Sequence, residues 1–214
     1  MNNYTSEISK KLLTFHKNND SFSDNCYDQL FELESDIVKE SICILDLVDN
    51  YGPEHRTYQA DTSYDLIRRL YKILTPFEPK SILDLGNGNG RVLFCGAHLF
   101  KKTEFHGIEM VSERVQYCRQ LSQKMGLKIN FLNGDATKID LPKVESIILM
   151  NSLFPSLMPK LLKHLKYHAK ANPFMLIAAS TCNIIISDQD WLEEIQLSPP
   201  PINELDFRLF RTTI

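Results

Sequence analysis

The chain has 214 residues, of which 43% are hydrophobic and 24% charged; this excludes global disorder, and 8 glycines with 10 prolines exclude collagen-like or low-complexity architecture. The formal net charge of −3 is unevenly spread: residues 1–50 carry four lysines and ten acids, a net of −6, and the remainder carries +3. So small a basic surplus excludes the electrostatic footprint of a dedicated nucleic-acid binder, and no nucleic-acid partner is expected.

Residues 1–55 are expected to form an N-terminal helical cap, with 56–214 as the main domain. Tyr27, Leu30, Phe31, Ile37, Val38, Ile42, Leu45 and Val48 recur at three- and four-residue steps, which puts one apolar stripe on a long helix stopped by Gly52-Pro53. Asp61-Thr62-Ser63 supplies N-cap side chains ahead of a helix through Tyr64, Ile67, Leu70, Tyr71 and Leu74, ended by Pro76 and Pro79. Short apolar runs then alternate with amphipathic segments. Strands are expected at 81–85, 105–109, 128–133, 146–151 and 174–180, and helices at 91–100, 112–125 and through Leu161, Leu162 and Leu165. The segments 191–197 and 205–213, separated by Pro199-Pro200-Pro201, are expected to form a terminal antiparallel hairpin. The fold class is therefore α/β: a doubly wound, mostly parallel, seven-stranded sheet with a terminal antiparallel hairpin and an N-terminal helical extension.

No apolar run reaches the roughly 18 residues of a membrane span. The opening MNNYTSEISKK lacks the apolar core of a secretory signal. Cys26, Cys43, Cys95, Cys118 and Cys182 form no Cys-x-x-Cys pair, so free thiols in a reducing, cytoplasmic compartment are expected. His164 and His168 share a helix face at a metal-binding spacing, but no third ligand is identifiable and no metal is expected. Lys160, Lys163, Tyr167 and Lys170 on the same helix read as a solvated face.

The strongest chemical signal is Asp84-Leu85-Gly86-Asn87-Gly88-Asn89-Gly90, placed where a strand ends and a helix begins. Glycines there tolerate positive φ and let backbone approach a ligand, and the N–H groups of the following helix face it. The dinucleotide fingerprint fails, because its third, small residue would be Arg91. The P-loop fails for want of Gly-Lys-Ser/Thr. A carboxylate beside the turn would repel a pyrophosphate but suits a ligand with a sulfonium and an ammonium group. Two further acids end the next two strands. Glu109 lies 19 residues after Gly90, where it can accept from both hydroxyls of a ribose, and Asp135 follows Gly134. Three acids at successive strand ends converge on one crevice in an open α/β sheet.

The pattern Asp-x-Gly-x-Gly-x-Gly resembles motif I of the Rossmann-like S-adenosylmethionine (SAM) methyltransferases. Ala60-Asp61-Thr62-Ser63-Tyr64-Asp65-Leu66 is similar to the loop-and-helix entry of Dot1-like protein lysine methyltransferases, and Asn151-Ser152-Leu153-Phe154 resembles their Asn-Asn-Phe segment. The stretch from Met150 to Leu165 also resembles small lysine methyltransferases that act on a rotary ATPase subunit. The resemblance covers roughly residues 58–180. It implies SAM as cofactor, with S-adenosylhomocysteine as product. Asp61 and Thr62 would line the methionine end, Asp84, Gly86, Gly88 and Gly90 the floor, Glu109 and Met110 the ribose, Asp135 and Ala136 the adenine. Asn151 would lie at the rim where the methyl group leaves, orienting the acceptor amine or the methionine moiety, with Phe154 and Tyr58 as channel walls. Ser152 replaces the family's second Asn, Arg91 replaces its amide, and the basic regions of the histone enzymes are absent; these departures bear on the acceptor more than on the cofactor. A base-amino methyltransferase would carry two prolines after Asn151, and Ser152-Leu153 has none. The expected activity is methyl transfer to an amine, a protein lysine first. The alternatives are a small-molecule acceptor, or a non-catalytic SAM-binding module that docks a partner through its acidic N-terminal helices.

Overall fold

The computed structural model describes residues 10, 28, 62–150 and 156–214. The helices expected within 1–55, and the candidate site residues Tyr58, Asp61, Asn151 and Phe154, lie outside the described residues, apart from the single helical positions 10 and 28. Helix α1 (Tyr64–Leu74) opens on Ser63, whose side chain accepts from the Leu66 N–H at 3.4 Å, and buries Tyr64, Ile67, Leu70, Tyr71 and Leu74. A short 3-10 turn (Thr75–Phe77) follows, with Pro76 in its first turn. Then come β1 (Ser81–Leu85), α2 (Arg91–Leu99), β2 (Glu104–Glu109), α3 (Ser112–Met125), β3 (Ile129–Asn133), β4 (Ser146–Met150), α4 (Met158–Ala169), β5 (Met175–Ala179), α5 (Cys182–Ser187), β6 (Leu192–Ile195) and β7 (Arg208–Thr212). No helix among the described residues is long and apolar enough to cross a membrane.

The seven strands form one sheet in the order β3-β2-β1-β4-β5-β7-β6. The five strands β1 to β5 pair in parallel, and β7 runs antiparallel to both β5 and β6. The strand period of two divides the apolar side chains between two layers. Ile82, Ile148, Ile177 and Leu209 face one core with Tyr64, Leu70, Phe94 and Val115. Leu83, Leu85, Ile147, Leu149, Leu176 and Phe210 face the other with Leu161, Leu165, Ile186 and Trp191. This two-sided burial is why the strands read as continuous apolar runs rather than alternating ones. On β7 Leu209 and Phe210 are both buried because they face the two opposite layers, while Arg208 pairs with Glu194 at 3.1 Å and Arg211 with Glu193 at 2.7 Å. Helix α5 is absent from the sequence reading: Asn183-Ile184-Ile185-Ile186 prolongs the apolar run of β5 and is too short to display a helical period.

Helices α1 and α2 approach closely at Gly96. A Cβ there would lie 2.1 Å from Tyr71 Oη and 2.5 Å from the Phe105 ring. Tyr71 cannot swing away cheaply, because its hydroxyl donates to the Val92 carbonyl at 2.7 Å in a buried setting. Gly96→Ala is therefore expected to destabilise the protein by about 1–3 kcal/mol through overpacking, read as a lower midpoint in urea unfolding.

Candidate active site at the carboxyl ends of the strands

Strand β1 lies between β2 and β4, and the chain leaves it in opposite directions to reach the two halves of the sheet. That reversal opens a crevice beyond the carboxyl end of β1. The glycine turn occupies this position. Gly86, Gly88 and Gly90 have φ of 72°, 53° and 80°, the left-handed region that an L side chain resists. The turn is pinned from below: the N–H groups of Gly86 and Asn87 both donate to the Ile108 carbonyl at 2.8 and 3.1 Å, and Gly90 donates to the Asn87 carbonyl at 2.8 Å. Gly90 caps α2, and a Cβ there would press on Phe94 at 2.9 Å. Gly88 differs, because a Cβ built on it meets nothing within 4 Å. The turn is thus packed on its inner side and open at Gly88.

The acids differ in their environments. Asp84 is 3% exposed, and no N–H or O–H among the described residues donates to its carboxylate. Burial, and then the charge of Glu109, push its pKa up to about 7. A carboxyl in that condition accepts a cation or a strong donor readily. Glu109 is also buried but well satisfied. Its Oε2 accepts from the Gly88 N–H and its Oε1 from the Val111 N–H, both at 2.9 Å, with Arg114 3.9 Å away. It ties the glycine turn to the β2–α3 turn, a contact invisible in the sequence. Each carboxylate oxygen keeps a second lone-pair site.

Asp135 lies at the start of the loop after β3. Its Oδ1 accepts from the Thr137 N–H at 2.9 Å and the Thr137 hydroxyl at 2.8 Å, and Lys138 lies 2.9 Å from Oδ2. Partial burial raises its pKa, but these bonds outweigh it and hold the carboxyl below its ordinary range. Ala136 is buried beside it, and Met110 is half-buried. Asp84, Glu109 and Asp135 therefore sit at or just beyond the same ends of β1, β2 and β3. Glu109 contacts the glycine turn directly, whereas the contacts of Asp135 are local.

Asn87, Cys118 and Asp28 escaped the sequence reading. Asn87 is buried and its Nδ2 donates to the Gly88 carbonyl at 2.9 Å. Its side chain lies where a Cβ on Gly107 would fall, 2.4 Å from Oδ1, which explains why Gly107 precedes the acid-bearing end of β2. The Cys118 thiol lies 3.6 Å from the Gly88 carbonyl, and burial pushes its pKa well up, so it is a packed neutral thiol. Cys95, Cys118 and Cys182 are all buried free thiols. Thr62, expected at the methionine end, presents its carbonyl to Arg91 Nη1 at 3.4 Å. His164 Nε2 lies 2.9 Å from the Ile139 carbonyl, and no cluster of three or more His, Cys, Asp or Glu among the described residues could hold a metal ion. Lys160, Lys163, Tyr167 and Lys170 are exposed.

These residues fit a nucleoside cofactor with a cationic end: an open turn at Gly88, an unsatisfied acid beside it, and spare acceptor sites on Glu109. Residues 77–200 match the family described as "Methyltransferase domain". A 65-residue segment is 37% identical to the ribosomal RNA small subunit methyltransferase G of Mycoplasma mobile, over 30% of this chain and 29% of that enzyme's length. A 109-residue segment is 27% identical to a protein-lysine N-methyltransferase of Saccharolobus islandicus, over 49% of this chain and 68% of that protein. Among solved structures, an RNA methyltransferase of Salinibacter ruber in complex with S-adenosyl-L-homocysteine shares the fold, with a TM-score of 0.53 and 19% identity over 72% of this chain and 94% of that one. The chain spans under a third of the length of the ribosomal RNA methyltransferase it matches; it belongs to the methyltransferase-domain family and shares the doubly wound fold of solved methyltransferases.

Proposed function

We propose that the chain methylates the side-chain amine of a protein lysine, binding SAM over the glycine turn. The observation that carries the cofactor placement is the pairing of a buried, undonated carboxylate, Asp84, with a turn that is open at Gly88 and packed at Gly90. In this reading Asp84 faces the charged amino-acid end, Thr62 and Asp61 line it, and Gly86 and Gly88 form the floor. The free lone pairs of Glu109 accept the ribose hydroxyls beside Met110, and Asp135 with Ala136 borders the adenine. SAM supplies an electrophilic methyl group, and the transfer is an in-line displacement. The chain's own task is to hold the acceptor nitrogen in near-attack geometry, which supplies several kcal/mol, and to keep that nitrogen unprotonated. By the family resemblance, Asn151 is the candidate to orient the amine, and Tyr58 and Phe154 are the candidate walls of an apolar channel, in which a lysine pKa falls.

The partial likeness to a protein-lysine N-methyltransferase supports the lysine acceptor. Incubating the purified chain with methyl-labelled SAM and a proteome, then separating protein, RNA and small molecules, tests it. Label is expected in protein and, after hydrolysis, in methyl-lysine. Label confined to RNA or to small molecules would overturn the lysine acceptor. Binding of SAM with no label in any fraction would overturn the catalytic reading in favour of a partner-docking module.

A further inference from the structure

Arg91 is the first residue of α2 and follows Gly90 directly. An arginine in that position is electrostatically misplaced. The amino end of a helix carries partial positive charge, which favours anions. The proposed cofactor brings a sulfonium and an ammonium to the same turn. The guanidinium is also removed from water, since Arg91 is 8% exposed, so solvent screens it poorly.

The structure supplies a counter-charge. Asp28, 63 positions earlier and itself 8% exposed, forms an ion pair with Arg91 Nη2 through its Oδ2. The Tyr64 hydroxyl donates to the other oxygen of Asp28 at 2.9 Å. The Tyr64 ring lies against the guanidinium, 5.3 Å from ring centroid to Cζ. Arg91 Nη1 reaches the Thr62 carbonyl at 3.4 Å. One buried cluster thus joins the acidic N-terminal segment, the entry to α1 and the helix that the glycine turn begins.

We infer that Asp28 is a specificity-determining residue: by neutralising Arg91 beside the glycine turn, it sets the preference of the site for SAM over S-adenosylhomocysteine. The two ligands differ by the methyl group and the positive charge on sulfur, so loss of the Asp28 negative charge, which makes the neighbourhood more positive by one unit, disfavours the first more than the second. The inference rests on the cofactor placement proposed above. It assigns the acidic residue at position 28 a part in cofactor discrimination that packing alone would not require.

Calorimetric titration of both ligands at low salt tests it. Asp28→Asn is expected to weaken SAM about tenfold more than S-adenosylhomocysteine. Asp28→Glu, which keeps the charge, should retain the wild-type ratio of the two affinities. Arg91→Gln removes the positive charge instead, and should shift the ratio towards SAM; it keeps the test open if Asp28→Asn does not fold. Equal weakening of both ligands in Asp28→Asn, or an unchanged ratio in Arg91→Gln, would overturn the inference and leave the cluster a merely structural one. Gly88→Ala separates the two levels. If it binds SAM as wild type does, the cofactor placement itself fails. If it loses SAM while the charge variants keep the wild-type ratio, only the role of Asp28 fails.

Discussion

Asp84→Asn is expected to raise the stability of the ligand-free protein above pH 7 and, at the same pH, to weaken SAM binding by tenfold or more. The two effects have one cause. Burial, helped by the charge of Glu109, lifts the Asp84 pKa to about 7, against about 3.9 in an unfolded chain. Between those values the folded protein holds a proton that the unfolded chain has released. Stability from this group is therefore fully present below about pH 4 and is lost as pH rises towards 7. Above pH 7 the folded state carries a buried, undonated carboxylate, at a cost on the order of a few kcal/mol that the amide avoids. The stability gain of the variant, measured by urea unfolding, should therefore be larger at pH 8 than at pH 5.

A cationic ligand reverses the preference, because it stabilises the ionised carboxylate. Binding of SAM to the wild type should release a proton below about pH 7, and affinity should fall up to tenfold per unit on further acidification. Calorimetry in buffers of different ionisation enthalpy reads that proton directly. Asp84→Asn should bind weakly with no such release. A variant with wild-type affinity, or one less stable than wild type at pH 8, would contradict this account of Asp84.

The second large effect is expected at Gly88. Gly88 and Gly126 share a geometry: φ is 53° and 64°, and a Cβ on either meets nothing within 4 Å. Gly126 caps the end of α3, with its N–H directed at the Gln123 carbonyl at 3.1 Å. Alanine at either position should cost about 1–2 kcal/mol for the left-handed backbone alone. Only at Gly88 does the added methyl group enter the space assigned to the cofactor. Gly88→Ala should lose SAM affinity at least tenfold, while Gly126→Ala matches its loss of stability and binds normally. Equal affinities in the two variants would show that the space at Gly88 has no bearing on the cofactor.

Much of this was legible in the residues because local pattern and tertiary burial agree. Ser81–Leu85 and Ser112–Met125 fall on the expected boundaries, since Pro79 and Gly126 fix one end of each. Three glycines after Asp84 marked the turn because few sequences need positive φ at alternate positions. What escaped depends on distance or on side-chain choice. The pairing of Asp28 with Arg91 spans 63 positions and leaves no periodic trace, so Arg91 looked only like a departure from the family pattern. Glu109 was assigned to a ribose from its place at a strand end. Its bonds to the Gly88 and Val111 N–H groups require knowing how two turns meet. The connection over residues 196–207 read as a Pro-rich turn, but it is organised by Asp206, which accepts from the N–H groups of Ile202 and Phe207 and pairs with Arg69.

Hydrogen exchange of the backbone amides, with and without saturating SAM, tests the central claim most directly. Binding over the glycine turn should slow exchange together at 86–90, 109–111 and 135–137, while the amides of α4 and of the β6–β7 hairpin stay unchanged. Saturation of the protein with no protection across 86–90 would place the cofactor elsewhere and remove the assigned site.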